Sequence, residues 1–375
     1  MTALPVLPTA LARPQRALDS TPEELPALLA GLGQPAYRGR QLAAWLFARA
    51  AHSYDEMSDL PAALRQQLAE RLPMMAPEIV DTLRSADGGT EKVLLRLTGG
   101  SAIETVLMRQ PTRDGVRNTI CLSTQVGCAI GCPFCATGQA GWMRNLSSGE
   151  ILAQVAHWQR VLLAEGAALD NVVYMGMGEP LGNYAATFRS IAVLNHPDGF
   201  GIGARHITVS TSGLAPQIER LAQEPYQINL AVSLHAANDE LRDRMVPINR
   251  TYPLARLLAA VRRYIAVTNR RVSFEYVLLA GVNDASEQAE ELAMLLRGLL
   301  CHVNLIPLNP EPSGQFSAPR QEAISRFAAI VREGHIPCTV RVDRGQDIAA
   351  ACGQLARQER GKAGRLSKSS LQGAD

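Results

Sequence analysis

The sequence predicts an α/β protein, an incomplete (β/α)6 barrel preceded by a small all-helical domain. Three observations carry this. Strand-like and helix-like segments alternate from residue 118 onward at the spacing of parallel strands joined by crossover helices. A purely helical period fills the chain before about residue 73, and the pattern turns strand-like only near Asp81. A cysteine-rich loop directly follows the first strand of the alternating part, where a barrel presents functional residues.

Residues 1–19 are rich in proline and alanine without periodicity and read as a disordered leader. Ser20-Thr21-Pro22-Glu23-Glu24 supplies a capping residue, a helix-starting proline and first-turn acids, opening a helical domain over 20–80. Its apolar positions are Leu25, Leu28, Leu29 and Leu32, then Leu42, Trp45, Leu46 and Phe47, then Leu60, Leu64, Leu68 and Leu72. Arg38, Arg40 and Arg49 interleave with Tyr37 and Trp45, which suits either a grip on an RNA backbone or a solvated face over an apolar core. Residues 81–117 read as a β-hairpin linker, with Lys92 to Leu97 and Ala102 to Met108 alternating around Gly99-Gly100. Glu104 lies on the second of these strands, by default on its wet face.

The unit over 118–356 begins with the strand Thr119 to Leu122, and after it come Cys128, Cys132 and Cys135 in a Cys-x-x-x-Cys-x-x-Cys pattern. Thiolates so spaced converge on one metal centre. Three of them leave one iron of a four-iron cluster without a protein ligand, whereas electron-transfer clusters use four cysteines. The amino and carboxylate groups of S-adenosylmethionine would chelate such an iron, placing the sulfonium beside a one-electron donor. Cys121 as a fourth ligand of a structural zinc is the alternative, with a six-residue gap unlike the common paired knuckles. Phe134, between the second and third cysteines, suits an apolar shield for a cluster.

Further strands are expected at Asn171 to Met175, His206 to Ser210, Gln227 to Ser233, Val272 to Leu278 and His302 to Ile306. Helices are expected at Ser148 to Leu163, Tyr184 to Asn195, Leu254 to Val267 and Ser286 to Leu300. Chemistry-bearing residues fall at the strand ends: Gly178 and Glu179 in GMGEP, Ser210 in VSTSG, Ser233, Leu234 and His235 in AVSLHA, and Asn309 in IPLNP. The glycines would let backbone approach a ligand, and Glu179 offers a carboxylate to an amino group. His235 alone would be a satisfied structural histidine. Arg262, Arg263, Arg270 and Arg271 read as a solvated face or an RNA contact. Cys301 and Cys338 lie in apolar runs and belong to the core, and Cys352 beside alanine and glycine would by default be a small buried hydrophobe. The polar, mostly basic tail over 357–375 has no apolar face and reads as disordered.

Net charge is only +2, so composition gives no general affinity for nucleic acid and local clusters must supply it. Seven cysteines are an odd number, and no secretory pattern or membrane-length apolar run accompanies them, so a cytoplasmic, non-membrane protein with reduced thiols is expected. A monomer is expected.

The triad with its aromatic resembles the signature of radical S-adenosylmethionine enzymes, whose usual core is the incomplete barrel. The longer run CLSTQVGCAIGCPFCATGQAGWMRNL resembles the RlmN family of RNA adenine-C2 methyltransferases, and the similarity extends from about residue 20 to about residue 356. The resemblance implies substrates in 23S ribosomal RNA and in the anticodon loop of transfer RNA, a [4Fe-4S] cluster on Cys128, Cys132 and Cys135, and S-adenosylmethionine against Gly178, Glu179, Ser210, Ser233, Leu234, His235 and Asn309. It implies an RNA-contacting helical domain and a reducing system such as flavodoxin or ferredoxin. It further implies that Cys352 carries the methyl group, that Glu104 accepts a proton, and that Cys121 resolves the RNA adduct by forming a disulfide with Cys352. Two cofactor molecules are then consumed per methyl, because electron-poor C2 cannot attack a sulfonium whereas a thiolate can. A relative that methylates adenine C8 would use the same cysteines, and GWMRNL favours C2. A zinc-stabilised RNA-binding protein without catalysis is the alternative from another class.

Overall fold

The structure, a computed structural model, describes residues 16–309, 315–341 and 345–355. The helical domain consists of α1 (Glu24–Ala30), α2 (Tyr37–Ala43), which runs on through a π turn at Ala44–Ala48, and α3 (Ala62–Arg71). Leu25, Leu29, Leu42, Leu46, Phe47, Leu64 and Leu68 are buried as their spacing requires. Most of the expected leader lies outside the described residues. Its last part does not behave as a leader, since Ala17 and Leu18 are buried in a short 3-10 turn and the Ala17 amide donates to the Pro73 carbonyl at 3.0 Å. The expected tail over 357–375 lies outside the described residues.

Next comes an antiparallel meander of β1 (Glu78–Arg84), β2 (Thr90–Arg96), β3 (Ala102–Thr112) and β4 (Gly115–Cys121). The hairpin read from sequence is β2–β3, but it is not a linker. β4 pairs in parallel with the next barrel strand, Asn171–Tyr174, at Thr119 opposite Asn171, so meander and barrel share one ten-stranded sheet. A separate two-stranded sheet, β5 (Gln125–Gly127) and β6 (Trp142–Asn145), brackets the cysteine loop and the short α4 (Ala136–Gln139).

The barrel then follows as α5 (Ser148–Ala164), β7 (Asn171–Tyr174), α6 (Tyr184–Asn195), β8 (Ile207–Thr211), α7 (Ala215–Leu221), β9 (Asn229–Ser233), α8 (Asp239–Met245), α9 (Leu254–Thr268), β10 (Val272–Leu278), α10 (Ser286–Leu296), β11 (Cys301–Pro307), α11 (Gln321–Glu333) and β12 (Cys338–Val340). Sheet order is β1-β2-β3-β4-β7-β8-β9-β10-β11-β12, parallel from β4 onward and open between β12 and β4. Six parallel strands match the expected barrel, and β12 adds a short seventh.

Alternation on β10 shows how the sheet divides its residues. Val272, Phe274, Tyr276 and Leu278 enter the core, while Ser273, Glu275 and Val277 face the barrel interior. On α9 the same logic buries Leu257, Leu258, Val261 and Tyr264 and leaves Arg262 and Arg263 in solvent. Cys301 and Cys338 are buried, as expected. The helical domain docks on α5 and α6: the Asp19 carboxylate accepts from the Gly149 amide at 2.8 Å, Arg189 pairs with Glu24, and Phe47 meets Phe200 edge-on at 5.6 Å. No helix among the described residues is long and apolar enough to cross a membrane.

Candidate active site

Cys128, Cys132 and Cys135 all open on one cavity at the carboxyl end of the barrel strands. The loop is folded on its own backbone, with the Cys128 amide donating to Gly141 at 3.0 Å and that of Cys135 to Cys132 at 3.2 Å. Burial pushes the Cys128 thiol up to about 12, and it raises Cys132 and Cys135 too; the neighbouring sulfurs of the triad add to the rise at Cys132. Three buried thiols that face one cavity would ionise together only beside a cationic centre, and thiolates are the donors that an iron-sulfur cluster takes. Cys121 does not join the triad. It lines a different cavity, together with Cys352 and Arg341, so the four-cysteine zinc site is not what the fold builds.

Glu179 forms the opposite wall. Its Oε2 accepts from the Ser212 amide at 2.7 Å and the Ser212 hydroxyl at 2.8 Å, and its Oε1 accepts from the Leu181 amide at 3.0 Å. Burial raises this carboxyl, and those donors pull it back. Gly178 (φ +103°) serves packing before ligand access. A Cβ there would lie 2.6 Å from Gln125 Cβ, and one at Gly176 would lie 2.7 Å from the Leu122 carbonyl oxygen, so the glycines press the turn onto the stretch from Leu122 to Gln125 that joins β4 to β5.

Ser210, Ser233, His235 and Asn309 line the same cavity. The side chain of Leu234 does not; it is fully buried in the core, leaving only its backbone near the site. His235 has φ +62°, its Nδ1 accepts from the Val277 amide at 3.0 Å, and its ring meets Phe134 edge-on at 5.1 Å. Burial, with Arg242 nearby, holds its pKa down at about 3, so the imidazole is neutral with its remaining proton on Nε2. Sequence reasoning missed Arg242, which is fully buried: it donates to the carbonyls of Leu234 (3.0 Å), Ser212 (2.7 Å) and Ser233 (3.1 Å) and to Asn249 Oδ1 (2.8 Å). One guanidinium thus ties the ends of β8 and β9 together. A lone arginine on a charged helix reads as solvated, and only the fold turns it inward.

Cys352 is exposed, lines this cavity with Gly353, and also lines a second cavity with Cys121, Val106, Met175, Arg341 and Leu355. Its segment is clamped from three sides. Gly353 accepts from the Ala136 amide at 2.7 Å beside the triad, Gln346 donates to Asn309 at 2.8 Å, and Asp347 accepts from the Ala86 amide at 2.8 Å. Glu104 stands outside the triad cavity. It is buried on β3 in an ion pair with Lys92 at 2.9 Å, and Lys92 in turn donates to the Ala349 carbonyl at 2.9 Å. The wet face expected for Glu104 is covered because the segment carrying Cys352 folds over the meander.

A triad loop at the mouth of an incomplete parallel barrel defines a class, and the family comparison agrees: residues 122–293 match the radical SAM superfamily, so the chain is a radical S-adenosylmethionine enzyme, and membership implies a [4Fe-4S] cluster and that cofactor. Residues 17–73 match the ribosomal RNA large subunit methyltransferase N-terminal domain. The chain is 50% identical to a probable dual-specificity RNA methyltransferase RlmN from Moorella thermoacetica over 89% of its own length and 95% of that protein's. It is 49% identical to the RlmN of Anaeromyxobacter dehalogenans over 90% and 91% of the two chains. A radical SAM methyltransferase structure from Sphaerobacter thermophilus superposes with a TM-score of 0.88 at 54% identity, over 91% and 99% of the two chains. The chain belongs to the RlmN family of RNA methyltransferases.

Proposed function

We propose that this enzyme methylates C2 of an adenosine in 23S ribosomal RNA and of an adenosine in the anticodon loop of transfer RNA, through a methyl group carried on Cys352. Relatives named dual-specificity RNA methyltransferases support the two substrate classes. The observation that carries the chemistry is that Cys352 lines two cavities at once, one shared with the cysteine triad and Glu179, the other with Cys121.

Cys128, Cys132 and Cys135 would hold the cluster, with Gly178, Glu179, Ser210, Ser233, the Leu234 backbone, His235 and Asn309 around S-adenosylmethionine; together the two groups supply a 5'-deoxyadenosyl radical. Cys352 first takes a methyl group from one cofactor molecule by thiolate displacement. After the S-methyl group has lost a hydrogen atom, its carbon bonds to C2 of an adenine splayed from its stack. Loss of the C2 proton and of one electron, returned to the one-electron reducing system that started the radical, leaves RNA joined to Cys352 through a methylene carbon as a closed-shell thioether. The Cys121 thiolate then attacks the Cys352 sulfur. The S–C bond breaks, its electron pair and a proton go to the methylene carbon, and a Cys121–Cys352 disulfide remains for a reducing partner such as flavodoxin or ferredoxin to support clearing.

Cys352→Ala abolishes methyl transfer, and Cys121→Ala accumulates a covalent RNA–protein adduct on a denaturing gel. Turnover by the first variant, or no adduct with the second, contradicts the assignment.

A further inference from the structure

Three cavities meet inside the barrel: the triad cavity, the Cys121–Cys352 cavity, and a lower one reaching toward Asn229, Arg270 and Ser273 at the amino ends of the strands. Two residues, Met175 and Arg341, line all three. Arg341 follows β12, and its amide donates to the Leu305 carbonyl at 2.8 Å, so its backbone continues the pairing with β11. Its Nη1 lies 3.8 Å from Cys352 Sγ and also 3.8 Å from Glu275 Oε2.

Glu275 is the buried end of this arrangement. Only 5% of it is exposed; Oε1 accepts from Asn304 Nδ2 at 2.9 Å, and Oε2 is buried with no hydrogen-bond donor. Asn304 is itself fixed, its Oδ1 accepting from the Thr339 hydroxyl at 2.6 Å on β12. A carboxylate with one oxygen satisfied and the other facing a guanidinium is an anchor for that guanidinium. None of the roles assigned above uses either residue.

We propose that Arg341, anchored by Glu275, is a positioning residue for the two cysteines: it holds the Cys352 sulfur at the junction of the cavities and supplies the positive charge beside which Cys121 attacks that sulfur. This rests on Cys352 and Cys121 being the carrier and resolving thiols. Cys121 needs such help. Burial pushes its thiol up to about 12 and the adjacent Cys352 adds to the rise, while the Met175 backbone and the Arg341 charge pull it back. The resolving step requires a thiolate at Cys121, and the guanidinium lies 3.8 Å from the sulfur attacked, in the cavity that Cys121 also lines.

The step can be isolated from the radical chemistry. Oxidised glutathione, given anaerobically to the cluster-bearing enzyme, exchanges with exposed Cys352 to give a mixed disulfide and one glutathione thiolate. Attack of the Cys121 thiolate on Cys352 then forms the internal disulfide and releases a second glutathione thiolate, so atoms and electrons balance. The rate of that second release, followed by quenching and mass spectrometry, is compared for wild type, Arg341→Met, Arg341→Lys and Glu275→Gln, each checked for an unchanged cluster absorption spectrum. Arg341→Met slows closure about tenfold, Arg341→Lys restores most of the rate, and Glu275→Gln falls between them. Closure at the wild-type rate in both Arg341→Met and Glu275→Gln overturns the role of Arg341 and leaves the cysteine pair standing. Wild type that stops at the mixed disulfide removes the cysteine pair, and the positioning role with it.

Discussion

Lys92 and Glu104 form an ion pair whose side chains are each only 4% exposed. Taking two charges out of water costs more than their attraction returns unless further hydrogen bonds complete the pair, and Lys92 completes it on the Ala349 carbonyl, three residues before Cys352. Glu104 is therefore linked through Lys92 to the segment that bears Cys352. Glu104→Gln should slow methylation of Cys352 by S-adenosylmethionine as well as transfer to RNA, both followed by mass spectrometry of the protein and of the nucleosides. If methyl-Cys352 forms at the wild-type rate while RNA product is lost, Glu104 serves as the proton acceptor alone. The sequence made the sulfur chemistry legible, because the triad spacing is local and its chemistry narrow. It hid Lys92, Ser212, Glu275 and Arg341, whose meaning comes from pairings across distant segments: Lys92 and Ala349 are 257 positions apart. A charged residue in an alternating strand reads as wet, and only the fold reveals what covers it.

The strand ends are the elements on which the site depends, and Arg242 and His235 fix two of them. Arg242→Met removes the donors that satisfy the Ser212, Ser233 and Leu234 carbonyls, so it should destabilise the protein by about 3 kcal/mol in urea unfolding and weaken cofactor binding. A variant as stable as wild type contradicts this. His235 has a folded pKa of about 3 against an ordinary 6.5, so the stability its neutral form contributes is full above 6.5 and is lost as pH falls toward 3. By pH 5 that loss is about 2 kcal/mol, and His235→Gln should remove that share of the acid sensitivity when unfolding is compared at pH 7 and pH 5. Equal acid sensitivity in the two proteins refutes it. The parallel strands and long crossover helices were readable from alternation and length. β1 and β12 were not: β1 is a mostly exposed edge strand, and β12 has three residues, too few for a period. The glycines of GMGEP were read as room for a ligand; both line the triad cavity, and close packing against Leu122 and Gln125 requires glycine there as well.

Across the molecule, one hydrophobic core joins the helical domain to the barrel, since Leu25, Phe47 and Leu68 belong to the same buried cluster as Ile120, Phe274 and Val303. The helical domain is thus packed on α5 and α6 as part of the same core and not a separate lobe. Within that domain Trp45 Nε1 donates to Asp59 Oδ1 at 2.6 Å and Arg49 stacks over the Trp45 ring at 4.1 Å, so the aromatic is held rigid with its cation beside it. The sequence divided the chain at the change of period near Asp81, but periodicity carries no information on whether two halves share a core. The segment bearing Cys352 shows the same limit: its position depends on contacts with the meander, the triad loop and β11 together. Those contacts place Cys352 between the cavity of the triad and the cavity of Cys121, the arrangement that the proposed reaction needs. The measurement to make is anaerobic turnover of the cluster-bearing enzyme on ribosomal and transfer RNA with trideuteromethyl S-adenosylmethionine, followed by nucleoside mass spectrometry against C2- and C8-methyladenosine standards. A C2-methyl group in which one deuterium has been replaced by hydrogen is the expected product. A fully deuterated methyl group contradicts transfer as a methylene carbon, and a C8-methyl product contradicts the assigned position.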